Sequence, residues 1–133
     1  PTPARPGRVI GSAGPTTSIR EEPYQAEVLE AYGVRGVLGK GGMGTRTQEA
    51  LKRLGAVYLH AVGGAAALLA QRVKRVESVF MLEEFGVPEA FWVVEVEAFP
   101  AVVTMDSRGS SLHETVSRRS SERVTAIFQS IKK

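Results

Sequence analysis

Short apolar runs alternate with helical patterns along this 133-residue chain, and glycine stands at most of the joints between them. One helical pattern begins at Pro23, whose fixed φ suits a first turn, and ends at Gly33. The next begins at Thr45, which has capping-box spacing with Gln48, and ends at Gly55. Strand-like runs precede and follow these patterns, at residues 8–12, 34–38 and 56–62. Because such alternation is typical of layered structures, we expect an α/β fold with a mainly parallel central sheet flanked by helices.

The middle of the chain is less regular. Gly63 and Gly64 open an apolar stretch at 65–70, and a helix that is apolar all round is expected to be buried. The glycine pair is read as a packing and turn device, because the longer glycine-rich nucleotide fingerprints are absent from the sequence. Residues 72–86 fit the end of a helix about as well as a short strand.

The last third predicts two strands and a helix. Two runs rich in β-branched residues, 91–96 and 101–105, are separated by a segment that contains Pro100, which cannot donate to a strand ladder. Ser111 and Glu114 have capping-box spacing, and an apolar stripe follows them. We therefore expect a terminal helix from about residue 111.

Composition excludes several classes of protein. The length fits one domain, and no apolar run is long enough to span a membrane or to resemble a signal peptide, so a cytoplasmic location is the default expectation. The chain has no cysteine and only His60 and His113, which excludes thiolate chemistry and makes a histidine metal site improbable. The net charge of +3 is spread along the chain and matches no nucleic-acid motif.

Two loops carry anion-binding chemistry. Residues 14–20, Gly-Pro-Thr-Thr-Ser-Ile-Arg, precede a helix, whose N-terminus offers free backbone N–H groups. Arg20 would add a planar fork that grips a carboxylate in two places, whereas Lys40, within the glycine loop 39–42, would add a movable point charge. Two cationic sites suit a substrate with two carboxylates.

A structural interpretation of the first loop is equally open from these residues alone. Thr17 or Ser18 would then be only a helix N-cap, with Ser18 and Glu21 forming a capping box and the arginine solvated.

Four motifs in register resemble a known family. They are Gly-Pro-Thr-Thr-Ser-Ile-Arg, Gly-Lys-Gly-Gly-Met, Ala-Val-Tyr-Leu-His-Ala-Val-Gly-Gly-Ala-Ala-Ala-Leu-Leu-Ala and Phe-Trp-Val-Val-Glu-Val-Glu-Ala-Phe-Pro-Ala-Val-Val-Thr-Met-Asp-Ser. Over about residues 6–113 the chain closely resembles the β subunit, equivalent to the C-terminal domain, of class I fumarate hydratases and the related L-tartrate dehydratases. The resemblance implies a swivelling β/β/α domain and an enzyme that adds or removes water across the double bond of a dicarboxylate.

The resemblance also implies site residues, carried over position by position. Arg20 would clamp one substrate carboxylate and Lys40 would neutralise the other, while Thr16 falls on the family's suggested proton-transfer group. Thr17 and Gly41 would complete the substrate-binding set. His113 is read as a capping or surface residue. Family members hold a [4Fe–4S] cluster, which in this case must come from a separate α subunit because the chain has no thiolate.

Two departures from the family pattern raise alternatives. Glu21 and Glu22 stand where the family usually has Met and an acidic residue, which is expected to place a carboxylate beside the anion site. The family's β part normally begins roughly fifty residues earlier, so residues 1–133 are expected to form one domain that lacks the N-terminal segment. The alternatives are a tartrate-specific β subunit and a non-catalytic anion-binding or assembly module.

Overall fold

The computed structural model describes residues 9–14 and 17–131. A short 3-10 helix, Ser18–Glu21, leads into α1, Glu22–Ala31, and the chain continues through β1, Gly36–Gly39, and α2, Thr45–Leu54. The remaining elements follow in order: β2 Val57–His60, α3 Ala66–Ala70, β3 Val73–Phe80, α4 Leu82–Glu89, β4 Phe91–Val96, β5 Val102–Met105 and α5 Leu112–Ile131. None of the helices in these described segments is long and apolar enough to cross a membrane.

The strands form two small sheets. In the first, of order β1-β2-β5, β1 pairs with β2 in parallel and β2 pairs with β5 antiparallel. The second is an antiparallel hairpin of β3 and β4. The architecture is therefore mixed α/β as expected, but the prediction of a mainly parallel sheet is supported only in part, since one of the three strand pairings among the described residues is parallel. A helical crossover, α2, makes β1 and β2 parallel, whereas the connection between β3 and β4, which contains the short helix α4, leads the chain back so that the two strands pair antiparallel.

The expected first strand, at 8–12, is also absent from its described part, residues 9–12. Ile10 is buried there, but it packs beside Ala70 and Val73 rather than in the three-stranded sheet. Pairing with β1 involves Thr17 instead, through an isolated parallel bridge to Lys40. The first loop thus reaches the sheet edge without a strand in the described residues 9–14.

The main core lies between the three-stranded sheet and the first two helices. Its fully buried side chains include Leu29 from α1, Leu51 from α2, and Tyr58 and Met105 from neighbouring strands. Tyr58 and Met105 are register partners, so they point to the same face of the sheet. Burial of these large side chains fixes the positions of the strand ends, where the candidate site lies.

The ambiguous segment 72–86 contains β3 followed by the start of α4. Gly86 has a left-handed φ of 69° and bends α4 ahead of Pro88. The apolar stretch 65–70 gives only the five-residue helix α3, in which Leu69 and Ala70 are buried while Leu68 is half exposed. The expected burial therefore holds for one side of that helix.

Candidate functional site

The two predicted anion-binding loops lie side by side. Backbone atoms of Ser18 and Lys40 join them: the Ser18 N–H donates to the Lys40 carbonyl at 3.0 Å, next to the parallel bridge between Thr17 and Lys40. The Lys40 N–H donates back to the Ser18 hydroxyl oxygen at 2.9 Å. These bonds bring together three of the predicted site residues, Thr17, Lys40 and the adjoining Gly41. Thr16 lies outside the described residues.

Ser18 does not form the capping box that a purely structural interpretation predicts. The 3-10 helix has Thr17 as its N-cap residue without a side-chain capping bond. The buried Ser18 hydroxyl instead contacts Lys40 and lies 3.0 Å from the Tyr58 hydroxyl. Its role is to join the two loops.

Both cationic side chains are available to a ligand. Arg20 is exposed on the 3-10 helix, where its backbone N–H donates to the Thr17 carbonyl at 3.2 Å. Lys40 is half-buried. Within the described part of the chain, neither side chain forms an ion pair with a carboxylate.

Two glycines allow the Lys40 loop to take its shape. Gly41 has a φ of 79°, a left-handed conformation that an L side chain rarely adopts. Gly63 lies under the Lys40 side chain, since a Cβ built on Gly63 would be 3.3 Å from Lys40 Cδ. Of the glycine pair predicted to be a packing and turn device, Gly63 thus packs against the Lys40 stem and Gly64 takes a left-handed φ of 82°.

Glu22 does not place its carboxylate in the anion site. It accepts hydrogen bonds from the Gly44 N–H at 2.7 Å, the Thr47 N–H at 3.1 Å and the Thr47 hydroxyl at 2.6 Å. The carboxylate therefore caps the N-terminus of α2, and the predicted capping box of Thr45 and Gln48 is not formed because Gly44 is the N-cap residue. The expectation for Glu22 is wrong, because the free N–H groups of α2 compete successfully for it.

The hydrogen bonds at the α2 N-terminus also set the ionisation of Glu22. Burial by itself raises the pKa of this carboxyl group, but the bonds from the Thr47 hydroxyl and from nearby backbone N–H groups outweigh burial, so the pKa lies below its usual value. Glu22 is consequently anionic at neutral pH, where it opposes the positive end of the α2 dipole.

Three ring side chains behind the glycine loop were not predicted as site residues. The Tyr58 hydroxyl donates to the Gly41 carbonyl at 3.1 Å, and His60 Nδ1 lies 3.0 Å from the same oxygen. The His113 ring packs edge-on against His60 at a centroid distance of 5.8 Å and lies so close to Gly42 that a Cβ there would be 2.7 Å from His113 Cγ. His113 is therefore part of the loop's support, and its reading as a capping or surface residue is wrong.

The environment of these rings shifts their pKa values. Burial and the nearby His60 lower the pKa of His113, whose Nε2 lies 2.9 Å from the Thr104 hydroxyl oxygen. Burial raises the pKa of Tyr58, although the Ser18 hydroxyl partly offsets it. Both shifts favour the neutral forms at pH 7, so the support behind the loop adds no charge of its own from these two residues.

The position of His60 at the end of a strand-like run, three residues before Gly63, is the local signal that could have predicted it as a site residue. Nothing in the sequence pairs it with His113, which is brought near by α5. Such a contact depends on tertiary structure alone.

The fold and the site together define a class: an α/β domain in which two loops, each with a basic residue, are joined at one sheet edge. Comparison with known sequences shows the family. The model of the Fumarase C-terminus family matches residues 1–116, and the chain belongs to that family.

Individual relatives show the same relationship. The chain is 54% identical over 116 residues to a protein of Geobacillus stearothermophilus described as a class I fumarate hydratase, which covers 87% of this chain and 22% of that protein. It is 43% identical over 121 residues to a protein of Methanocaldococcus jannaschii described as an L(+)-tartrate dehydratase subunit beta, covering 90% and 62%. The corresponding subunit of Escherichia coli K12 is 38% identical over 121 residues, covering 90% and 60%. The chain thus spans less than two thirds of the length of each.

Proposed function

We propose that this chain is the β part of an iron–sulfur hydro-lyase that reversibly hydrates fumarate to malate. The observation that carries the proposal is the junction of Thr17 and Lys40, which joins the two loops that bear Arg20 and Lys40 in a member of this family. Two cations that are not paired with carboxylates of the described residues suit the two carboxylates of fumarate. The swivelling β/β/α arrangement of the whole domain belongs to the same proposal.

Each site residue has a defined role in the proposed reaction. Arg20 binds one substrate carboxylate through its planar guanidinium, and Lys40 neutralises the other carboxylate and the charge that develops on it. Thr17 and Gly41 line the substrate-binding site between the two cations. Thr16 is the proton-transfer group, a role that rests on the resemblance of the Thr-Thr-x-x-Arg motif.

A partner chain is part of this proposal. A [4Fe–4S] cluster is held by cysteine thiolates, and this sequence has no cysteine. Within the described residues, moreover, no cluster of His, Asp and Glu is suited to a metal ion. The residues of this chain do not fit the cluster, which we assign to a separate α subunit.

Exposed apolar surface supports the hetero-oligomer. Tyr24, Val28 and Tyr32 recur on one side of α1, yet their exposed fractions are 61%, 41% and 80%. Large apolar side chains arranged along one helix face and left in water are typical of surfaces that pack against another protein.

Tartrate is the alternative substrate, because two of the relatives described above are tartrate dehydratase β subunits. Fumarate, malate and tartrate each carry two carboxylates, so the proposed roles of Arg20 and Lys40 are the same for either substrate. A third possibility is an anion-binding or assembly module that retains the cationic edge without turnover.

The test is reconstitution with a cysteine-bearing α-type partner. We expect fumarate hydration by the complex and none by the isolated chain. Arg20→Lys keeps the charge but loses the planar fork, and Lys40→Arg enlarges the side chain that rests on Gly63. Each change should lower kcat/KM about 30-fold, the equivalent of about 2 kcal/mol for a charge-assisted hydrogen bond.

Matched controls are Arg35→Lys and Lys52→Arg, which make the same exchanges at exposed positions away from the two loops. Their activity should equal that of the wild type, and all four variants should keep its thermal midpoint. Turnover of L-tartrate but not fumarate would favour the alternative enzyme. Dicarboxylate binding without turnover of either would favour the module, and Arg20 and Lys40 variants with wild-type kcat/KM would contradict the two-cation site.

A further inference from the structure

The Gly41 carbonyl accepts two side-chain hydrogen bonds from β2. The Tyr58 hydroxyl oxygen is 3.1 Å from it and His60 Nδ1 is 3.0 Å from it. A carbonyl oxygen can only accept, so the hydrogen atom of the second bond must be on Nδ1 of His60. This assignment fixes which ring nitrogen faces the loop.

The other peptide groups around Lys40 are held mainly by backbone partners. The Gly39 carbonyl accepts from the Ala61 N–H at 2.7 Å, and the Lys40 carbonyl accepts from the Ser18 N–H at 3.0 Å. Past Lys40 the chain turns left-handed at Gly41, and there the described contacts come from side chains. The direction of the turn after Lys40 thus depends on Tyr58 and His60.

Tyr58 and His60 differ in their burial and in their other contacts. Tyr58 is fully buried in the main core, so its loss would disturb the whole sheet. His60 is half-buried at the end of β2, in register with Gly39, and its ring is backed by His113. Because His113 also lies 2.9 Å from the Thr104 hydroxyl oxygen, the His60 ring has a fixed neighbour.

We propose that His60 is a positioning residue for Lys40: its Nδ1–H bond to the Gly41 carbonyl holds the left-handed turn that directs the Lys40 side chain along Gly63. His60 acts through the loop and does not itself contact the substrate. The loop role stands independently, and the consequence for dicarboxylate affinity rests on the proposed function.

The test compares three substitutions in the full chain. His60→Asn places an amide N–H donor near the position of Nδ1, His60→Gln places it near Nε2, and His60→Ala removes it. Amide hydrogen exchange of Lys40 and Gly41, followed by NMR, reports the order of the loop without any ligand. Titration with fumarate and with L-tartrate then reports whether loop order affects binding.

We expect His60→Asn to keep most of the wild-type protection at Lys40. His60→Gln and His60→Ala should speed exchange at Lys40 and Gly41 about tenfold, as expected for the loss of one hydrogen bond, and should weaken dicarboxylate binding to a similar degree. Thermal midpoints establish that the Asn and Gln variants are equally folded. If the alanine variant does not fold, the contrast between Asn and Gln still decides the question.

Equal exchange in the Asn and Gln variants would overturn the proposal, whether both match the wild type or both lose protection, since only the position of the donor separates them. A Lys40 amide that exchanges at unfolded-chain rates in the wild type would overturn it too. If the wild type binds neither dicarboxylate while the Asn and Gln variants differ in exchange, the proposed function fails and the positioning role of His60 stands.

Discussion

The three-stranded sheet and the β3–β4 hairpin use similarly apolar strands, but they bury them differently. The sheet packs Tyr58 and Met105 against α1 and α2, and both side chains are at most 1% exposed. The hairpin leaves Phe80, Phe91 and Val93 largely exposed. All described candidate site residues lie on the loops next to the sheet. This difference shows that the loop of Lys40 is supported by the buried core under the three-stranded sheet, whereas the hairpin is stabilised mainly by cross-strand pairing.

The largest expected effect that separates the two regions is on stability. Leu51→Ala removes a fully buried side chain of α2 and should lower the free energy of unfolding by about 2–5 kcal/mol, because it leaves a cavity in the main core. Leu82→Ala, the same change in α4 where the side chain is 37% exposed, should cost about 1 kcal/mol or less. Urea unfolding of both variants measures this, and equal losses would mean that the two regions are buried alike.

Sequence patterns anticipated the sheet region better than the hairpin region. Pro23 lies in the first turn of α1, which begins one residue earlier at Glu22, and Gly55 ends α2 as predicted, because proline and glycine act locally on φ. Residues 72–86 were ambiguous, since the alternation in β3 is understood only once β4 supplies its partner. The prediction of a mainly parallel sheet is supported only in part, because strand direction depends on long-range connections and not on any local residue.

The candidate site likewise contains residues that local sequence patterns predict and residues whose contacts depend on distant parts of the chain. Thr17, Lys40 and Gly41 could be placed together because each loop carries its own signal in glycine, hydroxyl and cationic residues. The use of Glu22 as a cap for α2 could not be foreseen, since its partners Gly44 and Thr47 are more than twenty residues away. The capping bond predicted at Ser111 does form, since the Glu114 N–H donates to the Ser111 hydroxyl at 3.2 Å, whereas the distant Glu22 takes the N–H donors at the N-terminus of α2.

The second prediction sharpens this point within the sheet region. Glu22→Gln should lower the free energy of unfolding by about 1–2 kcal/mol at pH 7, because the N-terminus of α2 loses its carboxylate. The folded-state pKa of Glu22 is depressed, so its contribution is complete above the unfolded pKa of about 4.3 and is lost as pH falls through the folded pKa. The difference between wild type and variant should therefore shrink in acid.

Chemical denaturation at several pH values measures that difference. Glu21→Gln is the matched control, since Glu21 is an exposed neighbour in the 3-10 helix. It should change stability little at any pH. A constant loss for Glu22→Gln down to pH 3 would argue that packing rather than charge explains the effect.

The smallest expected effect lies on the hairpin. Arg75 of β3 contacts Glu95 of β4 at 3.2 Å and Glu77 of its own strand at 2.5 Å, but its side chain is 66% exposed. Water and salt screen most of the attraction between the charges of an exposed ion pair. Arg75→Gln should therefore lower the free energy of unfolding by less than about 1 kcal/mol, and by still less at high salt. Urea unfolding at low and high ionic strength measures both. A loss of more than about 2 kcal/mol in the free energy of unfolding that persists at high salt would mean that this ion pair is desolvated. The hairpin would then be held as firmly as the sheet, and the contrast between the two regions would disappear.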